Sequence, residues 1–208
     1  MFLEAGVDAD EYWCEWHGGP GYSGVALHVR RAISPTRPTF SSPAFDFEHR
    51  VLTTTIGEIT VASVYVPNGN KDFQAKMRFL EGLEAFARAQ QEAQHTLVIC
   101  GDLNVARTER DVHPKERKPR AIGQLPEERA MLERILACGL VDVGRAVDPD
   151  NDGLFTWWPP WRNMRQRNIG WRLDYVLAST TLASQVTACP VHHLVGTSDH
   201  APVLATFG

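Results

Sequence analysis

The chain has 208 residues, 43% of them apolar and 22% charged, with a formal net charge of −4. That length fits one domain with a sizeable core, and the composition excludes a disordered chain. No apolar run approaches eighteen residues, so no transmembrane helix is expected, and the acidic start at Met1-Phe2-Leu3-Glu4 has no marks of a secretory signal.

In chain order, β-branched runs predict strands over residues 24–29, 51–56, 59–66, 96–100, 173–177 and 201–207. The spacing of Phe73, Met77, Leu80, Leu83 and Ala87 predicts an amphipathic helix over 72–93. A second helix starts at Leu125-Pro126-Glu127-Glu128, where proline and acids suit a first turn; Met131, Leu132, Ile135 and Leu136 supply its apolar face, and Gly139 ends it. Strands adjacent in sequence and interleaved with helices point to a layered α/β (α+β) domain. Two irregular stretches, 107–124 and 148–168, are long enough to carry function. Cys14, Cys100, Cys138 and Cys189 are scattered without a CxxC pair, which points to free thiols in a reducing compartment such as the cytoplasm.

Four polar clusters interrupt these elements. The apolar run at 96–100 ends at Gly101 and presents Asp102 and Asn104, two positions apart and so on one side of a strand. A carboxylate beside a carboxamide suits an oxygen-bound cation and an oriented water. Ser198-Asp199-His200-Ala201-Pro202 offers a hard ligand and an imidazole. Asp174, inside Trp171-Arg172-Leu173-Asp174-Tyr175, needs a partner, and His200 is the expected one, with Arg172 as the competing partner. Tyr65 and Asn68, in Tyr65-Val66-Pro67-Asn68, can donate to a phosphate oxygen. Each cluster alone also reads as an ordinary strand end or turn.

Together the motifs resemble the exonuclease III/abasic-site endonuclease branch of the endonuclease–exonuclease–phosphatase superfamily. The resemblance runs through Gly21-Tyr22-Ser23-Gly24-Val25, Tyr65-Val66-Pro67-Asn68, Gly101-Asp102-Leu103-Asn104, Leu125-Pro126-Glu127-Glu128-Arg129, Phe155-Thr156-Trp157-Trp158, Gly170-Trp171-Arg172-Leu173-Asp174-Tyr175 and Ser198-Asp199-His200. It implies a four-layer sandwich of two packed mixed β-sheets flanked by helices. It also implies a DNA-repair nuclease that hydrolyses phosphodiesters with Mg2+, Mn2+ being the alternative ion. The implied partner is double-stranded DNA with abasic sites, met by a monomer away from membranes.

By the same resemblance Asp102 acts on the attacking water and Asn104 positions it. Tyr65 and Asn68 contact the phosphate, and Asp174 orients His200. Asp102, Asn104, Asp199 and His200 form the metal side of the site. Trp157, Trp171 and Leu173 correspond to a pocket for an extruded abasic sugar, and Trp161 to a groove probe. Trp13, Trp16 and Trp158 are expected in the core. The run 113–120 and Arg162, Arg165 and Arg167 are candidate phosphate contacts.

The strings Ser-Phe-Asn-x-Asn-Gly and Gln-Glu-Thr-Lys, with which the family usually begins, do not occur, and the roles of their asparagine and glutamate are not transferred to Glu4, Glu11 or Glu15. The expectation is therefore a chain missing the N-terminal strands and the principal metal carboxylate, most simply through a start assigned too late. A non-catalytic DNA-binding remnant is the alternative.

Overall fold

The computed structural model describes residues 9–196 and 198–208; residues 1–8, with Glu4, and Thr197 lie outside the described residues. At its centre is a six-stranded mixed sheet in the order β3(Phe40–Ser41), β4(Val51–Ile56), β5(Ile59–Tyr65), β6(Thr96–Asp102), β8(Asp174–Ser179), β7(Leu140–Asp142). β5 and β6 are parallel, joined by the crossover helix α1(Phe73–Glu92); the other neighbours are antiparallel.

Strand periodicity divides the side chains between two faces. Ala62, Val64, Leu97, Ile99, Tyr175 and Leu177 face α1 and α2(Pro126–Leu136). Val98, Val176 and Ala178 face the opposite way, onto Val186 and Phe207 of the antiparallel pair β9(Val186–Ala188) and β10(Thr206–Phe207) and onto Cys189, which follows β9. The short helices α3(Val143–Val147) and α4(Thr180–Ala183) lie on that second side through Val143, Leu182 and Ala183. This is the layered α/β sandwich that the resemblance implies. A ribbon of β1(Tyr12–His17) and β2(Val25–Arg30) lies against β4 and β5.

Both long helices carry caps readable in the sequence. The carboxylate of Asp72 accepts from Ala75 N at 2.8 Å, and α2 opens on Pro126 with Glu128 reaching back to Leu125 N at 3.0 Å. Expected and observed elements differ in several places, the short β3, β7, β9, α3 and α4 all being unexpected. The strand expected at 201–207 is formed only at Thr206–Phe207. Pro202 has no N–H, and Ala201, Pro202 and Leu204 bond singly to Thr156, His192 and Pro190. The ribbon strand β1 was not expected, because Tyr-Trp-Cys-Glu-Trp-His has neither β-branched runs nor clean alternation. Trp16, expected in the core, is 61% exposed on that strand, whereas Trp158 is buried. Among the described residues no helix is long and apolar enough to cross a membrane, and all four cysteines are free thiols.

Candidate active site

Register builds the site. Tyr65, the last residue of β5, pairs with Asp102, the last of β6, and Asp102 pairs with Asp174, the first of β8. Three polar side chains thus stand side by side at one edge of the central sheet. Gly101 precedes them with φ +134°, and a Cβ there would lie 2.0 Å from the Val64 carbonyl, so only glycine lets the strands approach.

Asn104 does not reach Asp102 by strand alternation. The strand ends at Asp102 and Asn104 is left-handed (φ +51°), a conformation asparagine tolerates. The turn brings Asn104 N to 2.8 Å from Asp102 Oδ1 and Asn104 Nδ2 to 2.9 Å from Asp102 Oδ2. Asn104 Oδ1 accepts from Asn68 Nδ2 at 3.2 Å, linking the turns after β5 and β6.

From the other side, residues 156–158 run between Trp171 and the 199–201 segment. Trp157 N donates to Trp171 O at 2.9 Å and Trp171 N to Trp157 O at 2.8 Å, while Ala201 N donates to Thr156 O at 2.8 Å. Gly170 allows this approach, since a Cβ there would meet Trp157 O at 2.5 Å. The Trp157 and Trp171 rings meet edge to face, 5.8 Å apart. The result is a cleft of about 320 Å3 lined by Tyr65, Asn68, Asp102, Asn104, Trp157, Trp171, Leu173 and His200, with Ile122 and Gly123 on one wall.

Asp174 stands behind His200, its Oδ2 2.8 Å from Nδ1, which leaves Nε2 as the ring nitrogen available to a ligand. Arg172, the competing partner, is buried and pairs instead with Asp111 at 2.7 Å and Asp142 at 2.6 Å. Asp199 accepts from Trp157 Nε1 at 2.9 Å. Asp199 and Trp161, the latter 57% exposed, lie outside this cleft lining and line a neighbouring hollow.

The charges are strained in a way that suits chemistry. Burial, then the facing Asp174 carboxylate, push Asp102 up to about 7, against the opposing pull of His200, the Asn104 N–H and Lys76. Burial would lower His200, but Asp174, Asp102 and Asp199 outweigh it and hold the imidazole above its ordinary value. For Asp199, burial works upward, but the Trp157 N–H, His200 and Ser198 bring it below the usual carboxylate range.

Among the described residues no three His, Cys, Asp or Glu side chains form a metal-binding group. The donor set nevertheless fits a hard divalent cation of the kind held by one or two carboxylates, with water and phosphate completing its shell. Burial and Asp174 disfavour the charged form of Asp102 more than its partners offset, a balance that a cation would relieve, and both Asp102 and Asp199 act on the same imidazole.

Several residues that shape the cleft were not expected from sequence. Lys76 and Glu128 form a fully buried ion pair beneath it. Their signal was a charge in phase with the apolar face of each helix. The Thr156 hydroxyl accepts from both Leu173 N and Asp174 N at 3.0 Å. Arg165, a candidate phosphate contact, instead donates to the carbonyls of His193, Val195, Ser198 and His200, at 2.9, 2.7, 2.5 and 3.4 Å, with its guanidinium over Trp158.

Comparison with known proteins gives a consistent result. Residues 2–200 match the model of the Endonuclease/Exonuclease/phosphatase family. An exodeoxyribonuclease of Bacillus subtilis (strain 168) is 32% identical over 203 residues, covering 95% of this chain and 80% of the relative. Recombination repair protein 1 of Drosophila melanogaster is 31% identical over 199 residues; that match covers 94% of this chain, which spans only 29% of the longer protein. An AP endonuclease structure from Archaeoglobus fulgidus superposes with a TM-score of 0.84 at 28% identity, covering 95% of this chain and 80% of that one.

Proposed function

The chain belongs to the endonuclease/exonuclease/phosphatase family, within its exonuclease III/AP-endonuclease branch, and on that premise we propose that it is a DNA-repair nuclease. It hydrolyses phosphodiesters of double-stranded DNA, at abasic sites among others, with magnesium as the cation and manganese as a substitute. The observation that carries this reading is the single cleft in which Tyr65, Asn68, Asp102, Asn104 and His200 meet beside an apolar wall of Trp157, Trp171 and Leu173.

The chemistry follows from these atoms. Water attacks phosphorus as the bond to the leaving oxygen breaks, and negative charge gathers on the non-bridging oxygens. Asp102, with a proton affinity near neutrality, accepts the proton of the water, while Asn104 holds the Asp102 carboxylate in place. His200, oriented by Asp174, which also favours its charged form, binds a phosphate oxygen through Nε2. Asn68 and Tyr65 donate to the phosphate from the opposite wall. A divalent ion, which Asp102, Asn104, Asp199 and His200 would be the residues to hold, would supply further charge neutralisation. The leaving oxygen takes its proton from solvent.

The two tryptophans and Leu173 offer a wall that a sugar without a base can occupy, and such a nucleotide forfeits little stacking when extruded. Trp161, exposed beside Asp199, is suited to touching the duplex outside the cleft. The free thiols favour a reducing compartment such as the cytoplasm.

The test is a duplex carrying one abasic site, incubated with the protein and Mg2+. The expected result is nicking at the lesion, abolished by a chelator and reduced by several orders of magnitude in Asp102→Ala and His200→Ala. Equal turnover by the wild type and both variants rules out this site. A second reading, DNA binding without cleavage, draws on the missing three-residue metal group among the described residues. It predicts salt-sensitive duplex binding with no metal-dependent turnover.

A further inference from the structure

Beneath the cleft lies a pair of charges that the proposed chemistry does not use. The Lys76 ammonium and the Glu128 carboxylate face each other with both side chains 0% exposed, on the apolar faces of α1 and α2. Stability alone is a poor reason for such a pair. Two well-packed apolar residues of similar volume serve a core as well or better, because desolvating both charges offsets their attraction.

The remaining contacts of the pair point elsewhere. Lys76 Nζ donates to Asn104 O at 2.7 Å and Asn68 O at 3.2 Å, while its charge is paired with Glu128 Oε1, which has no hydrogen-bond partner of its own among the described residues. Glu128 Oε2 accepts from Gly123 N at 2.6 Å and Leu125 N at 3.0 Å. One ion pair therefore grips three separate turns: the one after β5, the one after β6, and the 122–125 loop. Each contributes a wall of the cleft, through Asn68, Asn104, and Ile122 with Gly123.

The fit is tight. A Cβ on Gly69 would come within 2.8 Å of Lys76 Cδ, and one on Gly123 within 3.1 Å of Asn104 O and 3.2 Å of the Trp171 ring. The backbone it holds at Asn104 is the left-handed turn that brings Asn104 onto Asp102.

We infer that Lys76 and Glu128 are positioning residues for the nuclease reaction, clamping Asn68, Asn104 and Gly123 at the spacing the phosphate requires. This rests on the nuclease reading above. The pair touches no substrate; it acts through the turns it holds.

The informative variant is Lys76→Met/Glu128→Gln, which keeps the stem volume and an oxygen for Gly123 N and Leu125 N while removing both charges. Lys76→Met alone would bury an unpaired carboxylate and confuse folding with function. On abasic duplex with Mg2+, the double variant should melt cooperatively and show KM within a few-fold of wild type, with kcat down about 100-fold, the scale of an ångström of misplacement. Glu84→Gln, which removes a nearly buried carboxylate of α1 paired with the exposed Arg88 of α1 and Arg134 of α2, should lower Tm and leave kcat unchanged.

A second readout does not depend on turnover. The side-chain amide NMR signals of Asn68 and Asn104 should shift or broaden in the double variant. Wild-type kcat in the double variant, beside an active wild type, overturns the inference and leaves the nuclease reading standing. An inactive wild type counts against the nuclease reading, and the two asparagine signals then decide: unchanged, they overturn the clamp.

Discussion

His200 Nδ1 and Asp174 Oδ2 lie 2.8 Å apart, joining the first residue of β8 to the segment that precedes the last strand. The contact selects the ring orientation and leaves Nε2 toward the cleft, and the Thr156 hydroxyl fixes the backbone at Asp174 from beneath. Asp174→Asn should keep the fold yet lose the charge that holds the imidazolium, lowering kcat by about 10²–10⁴-fold. Steady-state kinetics on abasic duplex, with circular dichroism as the fold control, measure this. Retention of wild-type kcat would remove the dyad from the mechanism.

Asp102 yields a prediction of opposite sign for stability and activity. Its folded pKa, about 7, lies above the ordinary carboxyl value of 3.8. The folded state therefore holds its proton longer than the unfolded chain, and stability falls as pH rises from about 4 to about 7. Asp102→Asn removes that penalty. In metal-free buffer at pH 8 it should be more stable by about 1–2 kcal/mol, short of the full ~4 kcal/mol because its amide would face the Asn104 donors. Thermal melts from pH 4 to 8 give the answer; a variant no more stable than wild type at pH 8 contradicts the charge balance drawn here.

The Arg165 guanidinium, bonded to four carbonyls between His193 and His200, holds the segment that carries Asp199 and His200. Five donors in a fixed fork match this arrangement, and an ammonium does not. Both Arg165→Ala and Arg165→Lys should raise amide exchange across 193–200 and lower kcat about tenfold or more, with only about 1 kcal/mol lost in stability. Full rescue by lysine would show that charge alone matters there.

Buried charge supports the wall opposite the cleft. Arg172 joins Asp111 and Asp142, each at most 3% exposed, and Arg145 adds a second cation on Asp111 at 2.9 Å. Burial alone would raise Asp111, but Arg172, Arg145 and Thr108 bring it below its ordinary value. Its contribution is therefore present above pH 4 and is lost as pH falls through the depressed folded value. Arg172→Met should cost about 3–5 kcal/mol at pH 7 by leaving buried carboxylates unpaired. The gap from wild type should narrow toward pH 3 in urea titrations, and a pH-independent gap would argue against this network.

Much of this molecule was legible residue by residue. The helix boundaries at Asp72 and Pro126, the apolar stripes of α1 and α2, and the principal strands follow from periods of 3.6 and 2 and from short-range caps, which depend on neighbours a few positions away. The polar residues of the cleft were visible too, but only as a set, because each cluster alone reads as an ordinary strand end or turn and it is their order along the chain that resembles the family. Partner choice was legible only in part: His200 was the expected partner of Asp174, and the structure pairs them. That Arg172 turns instead to Asp111 and Asp142, that Asp102 shares a rung with Tyr65 and Asp174, and that a lysine of α1 reaches a glutamate of α2 beneath two asparagines depend on strand register and burial. Those are decided when distant segments close on one another, since the energy of a buried charge depends on every group around it and hardly at all on its neighbours in sequence.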